Sequence, residues 1–363
     1  MPTKANNSVS TSTHRGRPPI RVMIVEDSQT AQQWLAGLID ADPRLRVVSI
    51  VPSGERALAE LDRVRPDVIS LDIHLPGING IATTREVMTH RPTPIVVCSA
   101  STRSRDSRLS MEALQAGALT VVEKPSGLRR DEMGASLCEQ LVRMSDVHLV
   151  RRRIGAHTPS PPSREAPLTP AGSPTAIGFV SSTGGPGALA RVLGELPGDV
   201  PFSILLVQHI SPSFFDGFVS WLDGVGPLHA VPARLGDTPR PGHIHVAPPG
   251  SHTTLVRGRF AMTPPHPDDL NVPSGAELLS SMARDLGARA MGVVLTGMGD
   301  DGAAGLLDIR NAGGFTIAEH ESTAVVNGMP RVAIALGAAC RVCPVHEIAA
   351  ELLRVCAEGE VTA

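Results

Sequence analysis

The chain has no tyrosine, only two tryptophans and seven phenylalanines in 363 residues. Binding of single-stranded nucleic acid on aromatic stacking platforms is therefore excluded. An excess of either charge is missing as well. Lys and Arg number 33 against 36 Asp and Glu, leaving a formal net charge of −3. No global field recruits nucleic acid or an anionic membrane. No apolar run approaches the roughly 20 residues of a membrane span, so direct membrane insertion is excluded. Residues 1–19 lack the apolar core of a secretory signal. They are rich in Ser, Thr, Asn and Pro, with basic Arg15 and Arg17, and read as a disordered N-terminus. Cysteine is scarce: five residues, an odd number, without framework spacing. That fits reduced thiols and a cytoplasmic location. Cys340 and Cys343 form one CxxC, but the second pair that a zinc site needs is absent.

What the chain does have is length for two domains with cores and a marked change of composition between them. Arg151, Arg152 and Arg153 precede Pro159, Pro161, Pro162, Pro167, Pro170 and Pro174, set among Ser and Thr. Residues 146–174 read as a semi-extended linker without a core, its Arg run solvated. It separates a first domain at 20–145 from a second at 175–363.

In the first domain five apolar strand patterns interleave with five helical ones, predicting a parallel sheet covered on both faces. Its chemistry gathers at one kind of place. Glu26 and Asp27 follow the first strand, Asp72 the third, Ser99 the fourth and Lys124 the fifth. In such sheets the C-terminal strand ends are where ligands bind. Three carboxylates there repel one another unless a hard cation sits among them, and a thiol-free oxygen cluster suits Mg²⁺. Ser99 and Lys124 are placed to hold phosphoryl oxygens, and Asp72 to accept a phosphoryl group. A single Asp ending a strand is commonplace; five polar groups at matching ends are not.

This half resembles the response-regulator receivers. The resemblance rests on Glu26-Asp27, on Leu71-Asp72-Ile73-His74-Leu75-Pro76 with Gly80 beyond, on Ser99-Ala100 and on Glu123-Lys124-Pro125. It implies a flavodoxin-like fold and phosphorylation of Asp72 by a partner histidine kinase. It also implies a Mg²⁺ shell of Glu26, Asp27, Asp72 and the backbone carbonyl of His74. Receivers commonly carry an aromatic on the fifth strand that relays phosphorylation. Here that strand reads Thr120-Val121-Val122, so the usual relay is missing.

The second domain again alternates strands and helices, predicting a doubly wound α/β sheet. Ile177 to Ser181 is apolar, then Ser182-Thr183-Gly184-Gly185-Pro186 turns into a helical pattern carrying Leu189, Val192, Leu193 and Leu196. Strand, tight glycine turn and helix lift a serine from the sheet edge and aim backbone N–H groups at an anion forming there. No lysine follows the glycines, so the stretch is not a P-loop, and the glycine spacing is not that of a dinucleotide site. Phe202 to Val207 leads into Gln208-His209, and Met291 to Leu295 into Thr296-Gly297-Met298-Gly299-Asp300-Asp301-Gly302. Three strands thus end near a possible nucleophile, base and orienting acid: Ser182, His209 and Asp301. Sequence order alone assigns none of these roles. His209 can equally end a strand and Asp301 cap a helix. His243 and His245 alternate along a strand and read as ordinary strand residues.

The wording around these residues is similar to the catalytic domain of chemotaxis-type protein-glutamate methylesterases. It is carried by Ser182-Thr183-Gly184-Gly185, Gln208-His209-Ile210, Val246-Ala247-Pro248, Leu295 through Ala303 and Gly328-Met329-Pro330. The resemblance implies Ser182 as nucleophile rather than its neighbour Ser181, His209 as base and Asp301 as acid. Backbone N–H groups of Thr183 and Met298 are the implied oxyanion donors. The substrates implied are methyl-glutamates, and certain glutamines, on the cytoplasmic helices of chemoreceptors, with a chemotaxis-type histidine kinase as phosphodonor. The serine chemistry needs no cofactor. Two departures stand out. Asp300 occupies a position where the family often has Asn, placing an extra carboxylate beside the triad. Asn271-Val272-Pro273-Ser274-Gly275-Ala276 replaces a more polar pattern, which bears on substrate recognition before it bears on the triad. The alternatives are a phosphorylation-controlled binding protein on a non-catalytic esterase fold, or a methylesterase serving a non-chemotactic receptor. Nothing beyond residue 150 resembles a helix-turn-helix, which excludes the usual transcription-factor partner of a receiver.

Overall fold

The computed structural model describes residues 18–99, 104–124, 130–147, 149 and 174–361. Most of the expected disordered N-terminus, 1–19, and of the expected linker, 146–174, lies outside them. The first half alternates strictly: β1 (Ile20–Val25), α1 (Gln29–Asp40), β2 (Leu45–Val51), α2 (Gly54–Val64), β3 (Val68–Asp72), α3 (Gly80–His90), β4 (Ile95–Ser99), α4 (Ser104–Ala116), β5 (Thr120–Glu123) and α5 (Arg130–Ser145). All strand pairs are parallel, in the order β2-β1-β3-β4-β5. Parallel pairing requires helical crossovers, which bury both faces and explain the near-continuous Val, Ile and Leu of β1, β3 and β4. Ser28, Ser53 and Asn79 cap α1, α2 and α3 by accepting a backbone N–H of the first turn.

The second half comprises β6 (Ala176–Ser181), α6 (Gly185–Leu193), β7 (Ser203–Gln208), α7 (Phe215–Asp223), β8 (His229–Pro232), β9 (His243–Val246), β10 (His252–Val256), β11 (Arg259–Thr263), α8 (Gly275–Leu286), β12 (Ala290–Val294), α9 (Ala303–Asn311), β13 (Phe315–Glu319), α10 (Met329–Ala335), β14 (Arg341–Cys343) and α11 (Val345–Val361). Seven strands form a parallel sheet in the order β14-β13-β12-β6-β7-β9-β8, and β10 with β11 makes an antiparallel hairpin beside α8. The order reverses between β6 and β12. In a doubly wound sheet that is the crevice where ligands bind. Of the residues expected to be plain strand members, His245 is buried and accepts the Arg240 N–H, while His243 is half-buried.

The two halves are not separate beads. Helix α4 packs against α6 and α7, and Met111 and Leu114 share one hydrophobic cluster with Leu189, Val192 and Phe218. Met298, Val325 and Val326 pack against the receiver's other cluster, built on Val22, Ile24, Leu137 and Val147.

Candidate active site

The switch point brings together the three strand ends that matter. β12, β6 and β7 are neighbours, so Asp301, Ser182 and His209 arise from adjoining strands. Ser182 sits at the β6–α6 turn. Gly184 there has φ +78°, and a Cβ would meet the Val325 side chain at 2.6 Å, so the turn admits only glycine. Pro186 in the first turn then presets the helix.

Which serine is exposed follows from burial. Ser181 is fully buried and donates its hydroxyl to Gln208 Oε1 at 2.6 Å. Ser182 is half-exposed one residue further on. The Ser182 N–H donates to the Thr296 carbonyl at 3.0 Å, fixing its backbone to the end of β12. Among the described residues the N–H groups of Thr183 and Met298 donate to no protein acceptor, which leaves both free for an oxyanion.

His209 Nε2 lies 2.8 Å from Asp301 Oδ2, with 18% and 4% of the two side chains exposed. Nδ1 is therefore the ring nitrogen that Asp301 leaves unengaged. Among the described residues no hydrogen bond links Ser182 to His209, a contact that often tightens only with substrate present.

Asp301 is held more completely than its sequence context indicates. Its two oxygens also accept from Ser274 Oγ at 3.1 Å, Gly275 N at 2.7 Å, Ala276 N at 2.9 Å and Gly302 N at 2.9 Å. Gly275 and Ala276 open α8, so the positive end of that helix faces the carboxylate. Burial pushes the Asp301 carboxyl up, but the bonds from His209, Gly275 and Ala276 outweigh it and hold it below the usual range. Gly275 is required because a Cβ would meet the Val180 side chain at 2.2 Å.

The 271–276 segment was expected to bear first on substrate choice. Ser274 Oγ and two of the segment's backbone N–H groups bond the Asp301 carboxylate. Loss of side-chain charge in that segment leaves those donors intact. Ser274 also caps α8 by accepting the Glu277 N–H, and its own N–H donates to Nδ1 of buried His252, whose Nε2 meets Asp269 at 2.9 Å. The Ser274-x-x-Glu277 spacing is a capping signature readable in the sequence; the His252–Asp269 support is not. Asp300 is exposed, and among the described residues its side chain makes no hydrogen bond to His209 or Asp301, so the extra carboxylate stands apart from that pair.

The receiver residues also converge. Glu26, Asp27 and Asp72 offer carboxylate oxygens all within 4.8 Å of one another. Lys124 Nζ lies 2.9 Å from Asp72 and also bridges Glu26. Burial, with the Asp72 charge adding to it, pushes the Glu26 carboxyl up against the opposing Lys124 bond. A hard cation would relieve that strain, and an all-oxygen donor set fits Mg²⁺. The His74 N–H donates to Asp72 Oδ1 at 3.2 Å, which lays its peptide against the cluster. Among the described residues Ser99 Oγ is buried without a hydrogen-bond partner, as a hydroxyl held for an incoming group would be.

Residues 22–135 match the response regulator receiver domain, and residues 177–352 match the CheB methylesterase family. The chain is 45% identical over 351 residues to protein-glutamate methylesterase/protein-glutamine glutaminase 2 of Paramagnetospirillum magneticum, covering 95% of this chain and 99% of that one. It is 40% identical over 345 residues to protein-glutamate methylesterase/protein-glutamine glutaminase 1 of Syntrophus aciditrophicus, covering 93% and 98%. The crystal structure of the Thermotoga maritima CheB methylesterase catalytic domain is similar at 33% identity and a TM-score of 0.48, covering 50% of this chain and 99% of that one.

Proposed function

The chain belongs to the CheB-type protein-glutamate methylesterase/protein-glutamine glutaminase family, under the control of its own receiver, and from that premise we propose how its residues divide the work. Ser182 Oγ attacks the side-chain carbonyl carbon of a methyl-glutamate, and His209 takes the serine proton. Asp301 holds the imidazole in one tautomer and stabilises its charged form. The N–H groups of Thr183 and Met298 bind the oxyanion. Collapse expels methanol, which receives its proton from His209, and leaves an acyl ester on Ser182. Water then gives its proton to His209 and attacks that ester, and the departing Ser182 oxygen takes the proton back as free glutamate is released. A glutamine side chain follows the same course with ammonia as leaving group. The single observation that carries this reading is Asp301, buried and multiply bonded, against His209 beside the Ser182 turn.

The substrates of this reading are the cytoplasmic helices of methylated chemoreceptors, and the phosphodonor a chemotaxis-type histidine kinase. The location is cytoplasmic; no described helix is long and apolar enough to cross a membrane. The domains divide at 20–145 and 175–363, joined by 146–174. Glu26, Asp27, Asp72 and the His74 carbonyl would hold Mg²⁺. Bound there it would supply positive charge against the phosphoryl oxygens, while Ser99 and Lys124 would contact them from the protein side.

Regulation has a physical route. The acceptor Asp72 ends β3, Ser99 ends β4, and α4 follows directly. Helix α4 rests on α6, the helix that begins at the Ser182 turn. The receiver also packs on Met298, one of the two oxyanion candidates. A receiver in that place restricts bulky protein substrates, and phosphorylation of Asp72 shifts the population toward an open form. The relay runs through Ser99 and α4 in place of the absent fifth-strand aromatic.

The test is methanol release from methylated receptor membranes, with and without acetyl phosphate and Mg²⁺. Wild type is expected to accelerate with the phosphodonor. Asp72→Asn is expected to keep basal release and lose the acceleration; acceleration that survives the substitution sinks the route through Asp72. Removing Mg²⁺ with EDTA is expected to abolish stimulation by acetyl phosphate and leave basal release unchanged. A fall in basal release on chelation would place a metal in the hydrolytic chemistry itself.

A further inference from the structure

The last paired residues of β6 and β7 are Ser181 and Gln208. Beyond that pair the ladder stops, yet the next residues of each strand are Ser182 and His209. Their separation must be fixed to a fraction of an ångström for proton transfer. One backbone bond remains, from His209 N to the Ser181 carbonyl at 3.0 Å. The rest of the link is a side chain. Gln208 Nε2 donates to the Ser182 carbonyl at 2.9 Å and to the His209 carbonyl at 2.9 Å. Both hydrogens of the amide are thereby used, one on each residue. Both partners are carbonyl oxygens, so the orientation of the amide is unambiguous. Its Oε1 accepts from Ser181 Oγ, which stops the group from turning. The side chain is buried. It is also built around: a Cβ at position 185 would meet Gln208 Oε1 at 2.2 Å and Ser181 Oγ at 3.0 Å. The second glycine of the turn therefore leaves the space this amide fills.

We infer that Gln208 is a positioning residue for both reactions, a planar clamp that sets the distance between nucleophile and base by binding the backbone carbonyl of each. It touches no substrate. The inference rests on the reading of Ser182 and His209 as nucleophile and base. A purely structural glutamine would only satisfy two part-buried carbonyls. Its loss would lower the amount of folded protein without altering turnover by what remains. A clamp predicts a turnover defect in protein that is fully folded.

The experiment uses the full chain, methylated receptor membranes and acetyl phosphate with Mg²⁺. Gln208→Met keeps the length of the side chain and removes both donors. It is expected to lower kcat about 10- to 100-fold with KM within about twofold. Gln208→Glu keeps the shape and the acceptor for Ser181 but turns lone pairs toward the two carbonyls. Protonation of the introduced carboxyl restores one donor, and burial favours that protonation. The ratio of its kcat to that of wild type is therefore expected to rise as pH falls from about 8 to about 6. Wild-type kcat in Gln208→Met overturns the inference. So does a loss that tracks only the folded fraction, with the Gln208→Glu ratio flat in pH. Where Gln208→Met does not fold, Ser181→Ala frees one end of the amide and is expected to lower kcat several-fold at unchanged KM; wild-type kcat there overturns the clamp. Ser182→Ala run alongside separates the two levels. If it is inactive while Gln208→Met is normal, the clamp alone fails. If it is active, the reading beneath it fails.

Discussion

Ser182→Ala is expected to lower kcat for methanol release about 10⁴- to 10⁶-fold, with KM within about threefold. The size of the loss follows from what remains. The oxyanion donors and substrate contacts survive the substitution, but no covalent intermediate can form. The neighbouring serine cannot take over, because Ser181 is fully buried with its hydroxyl committed to Gln208 Oε1 at 2.6 Å. Single-turnover kinetics on methylated receptor membranes make the point directly. Wild type is expected to form an acyl-enzyme that can be trapped in acid, and Ser182→Ala to form none. Retention of more than about a tenth of wild-type turnover would move the nucleophile elsewhere, since loss of a triad member ordinarily leaves a far smaller residue of activity.

The legible part of this site was the part written locally. A strand of apolar residues broken by Ser182-Thr183-Gly184-Gly185 announces its turn within a few positions, and so does Gln208-His209 at the end of β7. Five polar residues at receiver strand ends announced an oxygen-rich cluster before any pairing was known. Strand order was not legible in this way. β12 lies beside β6 although a long stretch of chain separates them, and only that adjacency puts Asp301 against His209. The supporting contacts are non-local too. Asp301 takes three donors from residues 274–276, and Ser274 leans on His252, itself on the β10–β11 hairpin. Short strands such as β8 and β14 carry too few residues for a period to show. The sequence made 271–276 look like an altered rim because it displays side chains, and the segment acts largely through backbone N–H groups.

Those N–H groups decide what Asp301→Asn should do. The carboxylate accepts from His209, Ser274 Oγ, Gly275 N, Ala276 N and Gly302 N. An amide offers one oxygen where two were needed. With the oxygen toward His209, its NH₂ opposes the Ser274, Ala276 and Gly302 donors; turned the other way, it opposes Gly275 and leaves His209 in the wrong tautomer. Either choice loosens α8 from the switch point as well as the imidazole. The expected loss in kcat is about 10³- to 10⁴-fold, accompanied by a lower Tm. Asp300→Asn, one residue earlier and exposed, is expected to leave kcat within about twofold of wild type and Tm essentially unchanged, as surface substitutions away from such features usually do. The pH dependence supplies a separate check. A carboxyl held below its ordinary value of 3.8 stabilises the fold above that value and loses the contribution as pH falls through the lower, folded-state value. The Tm difference between wild type and Asp301→Asn is therefore expected to be full at neutral pH and to narrow only below about 3.8. A difference that already shrinks near pH 6 would mean that something other than this carboxylate carries the coupling. An equal loss of turnover from Asp300→Asn would mean that the acid of the triad is the exposed residue and that the buried one merely seats α8.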